Sequence, residues 1–241
     1  MTSALEHRDE LLRLTDLHAF YGESHILHGI DLNVGAREVV TLLGRNGSGR
    51  STTLKAILGL VSRRIGSVMV NGRETIGMQP HRITRLGRIG YCPEERGIFA
   101  SLSAEENLTL LPKVGSDGMP LEEIYAMFPN LLERRKSPGM RLSGGEQQML
   151  AMARILRVGA RLLLLDEITE GLAPVIVRTL GTVVRGLAER GLTMILVEQN
   201  FRFVTQLADR HYLIEHGRIV DMITKNEVAT RIEALHRFLG V

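Results

Sequence analysis

Residues able to do phosphate chemistry cluster at Gly44-Arg45-Asn46-Gly47-Ser48-Gly49-Arg50-Ser51-Thr52. An apolar run, Val39 to Leu43, precedes them, and Leu54, Ile57 and Leu58 follow at helical spacing. Strand, glycine loop and helix is a geometry that cradles a nucleotide triphosphate. Glycines let the backbone curl so that successive N–H groups face phosphate oxygens, and the helix behind adds its positive end. The run matches the P-loop pattern G-x-x-x-x-G-K-[ST] except that Arg50 stands at the lysine position. A Gly/Ser/Asn turn between a strand and a helix would share much of this composition. Other parts of the chain must therefore separate the two readings.

Asp166-Glu167 ends a run of four leucines, Leu162 to Leu165. A buried strand ending in two carboxylates delivers both to a sheet edge. Nucleotide hydrolysis needs one carboxylate to hold Mg²⁺ and a second group to orient the attacking water, roles suited to Asp166 and Glu167. A solvated strand end would look the same. Leu142-Ser143-Gly144-Gly145-Glu146-Gln147-Gln148 opens a helix with exposed backbone N–H groups, which makes a second anion site. One chain does not need two sites for a γ-phosphate, whereas a dimer does.

The elements that must position these groups are legible from periodicity. Residues Leu11 to Val34 read as strands, with Ile30, Leu32 and Val34 alternating against polar neighbours. Ser67 to Val70 with Asn71-Gly72 reads as a strand and hairpin turn. Helices are expected at Pro80 to Leu86, from Ser103 to about Leu111 (Ser103 and Glu106 forming a capping box), around Leu121 to Phe128, at Asn130 to Lys136 and at Gln147 to about Val158. Pro174 opens another helix, with core positions Leu180, Val183, Val184 and Leu187. Thr193 to Val197 is a buried strand, short strands fall at Tyr212 to Ile214 and Arg218 to Val220, and Lys225 to Leu239 is helical.

Composition narrows the class. The 241 residues are 44% hydrophobic, enough for a large α/β core. The 30 basic and 27 acidic residues are interspersed, aromatics are 4% and Trp is absent, so neither a nucleic-acid surface nor a stacking platform for single strands is expected. Cys92 is the one cysteine; it fits a reducing compartment and reads as an apolar filler. The eight histidines show no ligand spacing in the sequence, so no transition-metal site is expected. The polar stretch Met1 to Glu10 lacks a signal-peptide core, and no apolar run approaches the ~20 residues needed to cross a bilayer. A soluble protein whose membrane role comes through partners is expected.

Together the three motifs, in this order, resemble the ATP-binding subunits of ABC transporters, whose signature is the LSGGEQQ stretch; the resemblance covers nearly the whole chain. It implies an α/β fold: a P-loop NTPase core with an antiparallel β subdomain and an inserted α-helical subdomain at about 94–158, all within one cassette spanning 1–241. It also implies head-to-tail dimers, in which Ser143, Gly144 and Gly145 serve a nucleotide held by the partner. ATP and Mg²⁺ are the implied ligands. Gly44, Arg45, Asn46, Gly47, Ser48, Gly49, Arg50, Ser51 and Thr52 would hold the phosphates, and Tyr21 would stack on adenine. Ser51, Glu94 and Asp166 would hold the metal. Glu167, Gln199 and Arg50 would carry catalysis, with Glu94 at the usual Q-loop glutamine and Gln199 at the usual switch histidine. Glu170 to Pro174 falls at the D-loop, which touches the partner's site.

Pro93-Glu94, Glu170-Gly171-Leu172-Ala173-Pro174 and Val197-Glu198-Gln199-Asn200 occur together in one branch. That branch looks like the smaller ATPase subunit of branched-chain amino acid importers and their urea and amide relatives, without a regulatory C-terminal domain. The resemblance implies pairing with a homologous ATPase and two transmembrane permease subunits, and delivery by a substrate-binding protein. The subunit would be cytoplasmic, peripheral on the inner face of the cell membrane. The loop Glu95 to Phe99 would help form the groove for the permease's coupling helix. Two positions depart from the branch. Arg50 is wider and forked where a lysine is a compact charge, so γ-phosphate placement should suffer more than binding. Ile168 replaces a proline next to Glu167. The alternative functions are a subunit that binds nucleotide, turns it over weakly and pairs with an active homologue, or one that serves an importer of urea or amides.

Overall fold

The computed structural model describes residues 10–239. The polar N-terminal stretch lies outside them, apart from Glu10. Two sheets organise the chain. An antiparallel sheet has the order β2-β1-β4-β5, from strands β1 (Glu10–Tyr21), β2 (Ser24–Gly35), β4 (Arg63–Val70) and β5 (Arg73–Glu74). A larger sheet has the order β10-β9-β3-β8-β7-β6, from β3 (Val39–Leu43), β6 (Ile89–Cys92), β7 (Leu162–Asp166), β8 (Thr193–Val197), β9 (Arg210–Glu215) and β10 (Arg218–Thr224). All its neighbouring pairs are parallel except β9 with β10. This is the α/β architecture expected from the motifs.

Its central strands are buried at every step because both faces are covered. Alternation then sorts the side chains into layers. Leu163, Leu165, Met194 and Leu196 enter one core with helices α6 (Gly144–Arg157) and α7 (Pro174–Glu189). Leu162, Leu164, Ile195 and Val197 enter the other, with α1 (Arg50–Leu58), α2 (Pro80–Gly87) and the antiparallel sheet. Between β6 and β7 the chain forms α3 (Ala104–Thr109), α4 (Leu121–Met127), α5 (Pro129–Glu133) and α6. Ile124, Phe128 and Leu131 are buried there against the α6 core. After β8 comes α8 (Phe201–Val204), and α9 (Val228–Leu239) closes the described chain.

Several boundaries move from their sequence expectation. α6 begins at Gly144 rather than Gln147, because Ser143 and Glu146 form a capping box that draws both glycines into the first turn. Pro129 starts α5 instead of only ending α4, as a first-turn proline can. β9 and β10 run longer than their apolar cores because an antiparallel ladder pairs polar residues as readily, out to Arg210↔Thr224. α8 has four residues, too few to show a period, and was not expected. The histidines are also less scattered in space than in sequence. The register pairs His18 with His28, and His18 Nδ1 lies 3.0 Å from His25 Nε2. Cys92 is fully buried and burial pushes its thiol up to about 12, the behaviour of a filler.

Candidate functional site

Strand register assembles the site. Leu42 pairs with Val197, Val197 with Asp166, and Cys92 with Leu165, so β3, β8, β7 and β6 end along one sheet edge. The loops leaving those ends carry the P-loop, Gln199, Glu167 and Glu94 in that order. Ligands of parallel sheets bind outside the carboxyl ends of the strands. A cavity of about 420 Å³ opens here, lined by the loop from Asn46 through Thr52 and by Ile26, Glu94, Glu167, Glu170 and Gln199.

The glycines explain the loop's shape. Gly47 has φ +79° and a Cβ there would meet nothing within 4 Å; its face is open to the cavity. Gly49, at φ +108°, is the N-cap of α1 and carries no side-chain capping bond, so the helix's first N–H groups are left for a ligand. Gly44 is constrained differently: a Cβ would stand 2.3 Å from the Ile214 carbonyl oxygen, so the loop's first residue must be glycine.

Arg50 turns back across this cavity. Its Nη2 donates to Asn46 Oδ1 at 3.0 Å and to Glu167 Oε1 at 2.8 Å. The side chains of Arg50 and Glu167 are only 5% and 9% exposed, so the pair is largely desolvated. Gln199 Nε2 donates to the other Glu167 oxygen at 3.0 Å. Both oxygens of Glu167 are thus engaged. Its backbone is held in the left-handed region, φ +48°, with its N–H bonded to Val197 O. Next to it, Ile168 is fully buried in the α6–α7 core, so packing anchors the turn where a proline ring is missing. Burial, with Glu170 alongside, raises the Glu167 pKa against the opposing pull of Arg50.

Asp166 is buried below. Ser51 Oγ donates to its Oδ1 at 2.8 Å and Tyr91 Oη to its Oδ2 at 3.0 Å. Burial raises its pKa, and these two hydrogen bonds oppose the shift. Two buried polar atoms lack a partner among the described residues at the loop: Ser48 Oγ and Arg50 Nη1. A buried donor without an acceptor is costly, and phosphate oxygens in the adjoining cavity would satisfy both. Ser51 Oγ, Asp166 and Glu94 are hard oxygen donors of the kind Mg²⁺ takes.

The structure places the sequence candidates unequally. Asn46, Gly47, Ser48, Gly49, Arg50, Ser51, Thr52, Glu94, Glu167 and Gln199 share the cavity wall. Gly44 and Arg45 lie just outside it, with Arg45 Nε on the Phe238 carbonyl at 3.1 Å. Tyr21 ends β1 at the hairpin tip, 40% exposed, and is not in the wall. Ser143, Gly144 and Gly145 head α6 and are also outside it. Ser51 and Asp166 are joined. Glu94 instead has a carboxylate oxygen within 4.8 Å of one from Glu167 and one from Glu170, the only such acidic or His/Cys group among the described residues. Burial, then Glu167, raises the Glu94 pKa.

Sequence reasoning missed three contributors. Tyr91 reaches Asp166 only through the β6–β7 pairing, which no local pattern announces. Glu170, read as part of a loop serving a partner, also lines this chain's own cavity. Glu198 is buried beside Gln199 and accepts from the Thr169 N–H at 3.0 Å and the Thr169 hydroxyl at 2.7 Å, tying the turn after β8 to the turn after β7. Burial pushes its pKa up to about 7.

Known proteins share this chain's sequence and fold. The family model described as ABC transporter matches residues 27–170. The high-affinity branched-chain amino acid transport ATP-binding protein BraG of Pseudomonas aeruginosa is 36% identical over 233 residues, covering 95% of this chain and all of that one. A probable branched-chain amino acid transport ATP-binding protein, LivF of Archaeoglobus fulgidus, is 37% identical over 90% of this chain and 94% of its own. The lipopolysaccharide export system ATP-binding protein LptB of Haemophilus influenzae is 29% identical over 95% and 97%. Among solved structures, an ATP-binding subunit of an ABC transporter superposes with a TM-score of 0.80 at 24% identity, covering 96% of this chain and all of the other. A bacterial Atm1-family ABC exporter with ATP bound gives 0.81 at 20% identity, over 97% of this chain and 42% of the exporter. The structural likenesses speak to the fold, and the sequence matches, which run across the P-loop, the Asp166-Glu167 strand end and the Ser143 helix start, speak to descent: this chain belongs to the ABC transporter family as an ATP-binding cassette.

Proposed function

We propose that this chain binds and hydrolyses ATP to energise an importer of branched-chain amino acids. The observation that carries the ATP reading is the pair of orphaned buried groups, Ser48 Oγ and Arg50 Nη1, on a glycine loop at the sheet edge that also presents Glu167 and Gln199. The named substrates of the BraG and LivF relatives support the cargo. The LptB relative, 29% identical, is named for lipopolysaccharide export, so the cargo rests on the first two relatives and the branch motifs.

In this reading the loop from Gly44 to Thr52 receives the phosphates. Ser51, Asp166 and Glu94 are the residues that would hold Mg²⁺, which supplies charge neutralisation on the phosphates when bound. Glu167 accepts the proton of the attacking water, and Gln199 hydrogen-bonds at the γ-phosphate end. Tyr21 supplies an aromatic face for adenine. Ser143, Gly144 and Gly145 complete the site of a partner cassette, either a second copy or a homologous ATPase. The full chain serves as one cassette whose inserted helical part, at about 94–158, meets two permease subunits, with a substrate-binding protein upstream. It works at the cytoplasmic face of the membrane; no helix of the described residues is long and apolar enough to cross one. Phe99, 41% exposed, and the half-buried Ile98 are proposed contacts for the permease.

The test is reconstitution with the permeases and binding protein of the same gene cluster. Vesicle uptake of labelled leucine, dependent on ATP and lost in Glu167→Gln, is expected. Uptake of urea or an amide without leucine uptake would overturn the cargo, and no binding of Mg-ATP would overturn the function.

A second reading has its own observation. The Arg50–Glu167 ion pair withholds the carboxylate that hydrolysis needs, so this chain would turn ATP over slowly while lending Ser143 to Gly145 to a more active partner.

A further inference from the structure

A second cavity is larger than the one at the P-loop. About 740 Å³ opens between α7 and α8, on a wall with no acidic residue among those lining it. Arg178, Arg185 and Arg202 stand around it. None of the three guanidinium groups has a hydrogen-bond or carboxylate partner among the described residues. The floor is apolar, made by Leu172, Val177, Phe203 and Leu207. All four are half-buried, and all but Val177 pack against the α6–α7 core. Two turns of helix separate Arg178 from Arg185, about 10 Å by helical rise, and Arg202 faces them from α8. The floor's area asks for an apolar body, and the unpaired cations ask for negative charge at its rim. A volume of this size suits a ligand of drug-like dimensions.

We propose that this cavity binds an amphipathic organic anion, a carboxylate or phosphate ester on an apolar body. Its position gives an occupant a route to the nucleotide site. Thr169 and Leu172 lie in the turn that follows Glu167, and Asn200 follows Gln199. Thr169 is bonded to Glu198, so an occupant would press on both turns at once. That route rests on the ATP reading above; the binding itself does not.

The test is calorimetric titration of the full chain without nucleotide, using octyl phosphate, octanoate, inorganic phosphate and octylammonium. Octyl phosphate and octanoate are expected to bind at one site per chain. Inorganic phosphate should bind at least about ten-fold more weakly for lack of an apolar body, and octylammonium not at all. Arg185→Ala and Arg202→Ala should each weaken octyl phosphate several-fold. Gly181→Leu removes no charge but plugs the cavity, since a Cβ at 181 already stands 3.3 Å from the Phe203 ring; it should abolish binding. Gly181→Leu should keep a wild-type circular dichroism spectrum, and if it does not, the arginine variants decide. Vesicles of phosphatidylcholine with phosphatidylglycerol form the lipid arm. Binding to vesicles without binding of monomeric octyl phosphate would replace the cavity by a charged surface and overturn the proposal. Equal affinity for octylammonium, unchanged affinity in both arginine variants, or dimerisation that occludes the cavity in solution would overturn it too.

Discussion

Replacing Arg50 by lysine should raise the turnover of this cassette. Arg50 Nη2 holds Glu167 Oε1 at 2.8 Å while bracing on Asn46 at 3.0 Å, in surroundings that exclude most water. When Glu167 accepts a proton it loses the charge that strengthens that bond, so the step gives up the charge-assisted interaction. A hydrogen bond to a charged group contributes roughly 1.5–3 kcal/mol. At about 1.4 kcal/mol per ten-fold in rate, breaking it slows the chemical step by about 10- to 150-fold. Phosphate oxygens arriving at the orphaned Nη1 recover part of this, so the lower end applies and Arg50→Lys should gain about ten-fold in kcat. A lysine keeps the charge but on a flexible stem, without the planar guanidinium that sets Nη2 against both Asn46 and Glu167. Nucleotide affinity should therefore change little, and the gain should fall on kcat rather than KM. Steady-state ATPase assays at saturating Mg-ATP, with and without the partner cassette and permeases, read this directly. The gain should vanish in Glu167→Gln, where no base remains to be released. An Arg50→Lys protein with unchanged or lower kcat at unchanged KM would refute the restraint.

Other perturbations probe neighbouring parts. Glu198 carries a pKa raised from an ordinary 4.5 to about 7 by burial, so the folded chain binds its proton more tightly than the unfolded chain. The associated stability is complete below about pH 4.5 and is lost as pH rises to about 7. Glu198→Gln, which can still accept from the Thr169 N–H, should lose this dependence; thermal melts of the two proteins should diverge between about pH 5 and pH 8, with wild type falling faster. Glu38, 2% exposed, accepts from Arg210 Nε at 2.6 Å and Nη2 at 2.9 Å, pinning β9 to the β2–β3 turn. Glu38→Ala leaves that guanidinium half-buried without its anion and should cost about 3–5 kcal/mol in urea unfolding. Gly44→Ala drives a methyl into the Ile214 carbonyl oxygen and should lower affinity for a fluorescent ATP analogue by at least about ten-fold, with a fold that still melts cooperatively.

The amino-acid sequence by itself determined the local devices of this protein. The P-loop spacing, the four leucines ending in Asp166-Glu167 and the Ser143/Glu146 cap each depend on a handful of consecutive residues. Backbone conformation and hydrogen bonding act at that range, so the pattern is complete within it. The strands buried on both faces were likewise visible as unbroken apolar runs. Tertiary structure alone decided which devices meet. The pairing of Cys92 with Leu165 brings the Tyr91 hydroxyl under Asp166 across 75 positions of chain, and the pairing of Val197 with Asp166 sets Gln199 beside Glu167. Only packing shows that Arg50, a basic residue in a loop of polar ones, spends its charge on Glu167 rather than on solvent. Register between distant strands and the desolvation of one charge by another belong to no short segment. They exist only once the sheet has formed and water has been excluded from its edge.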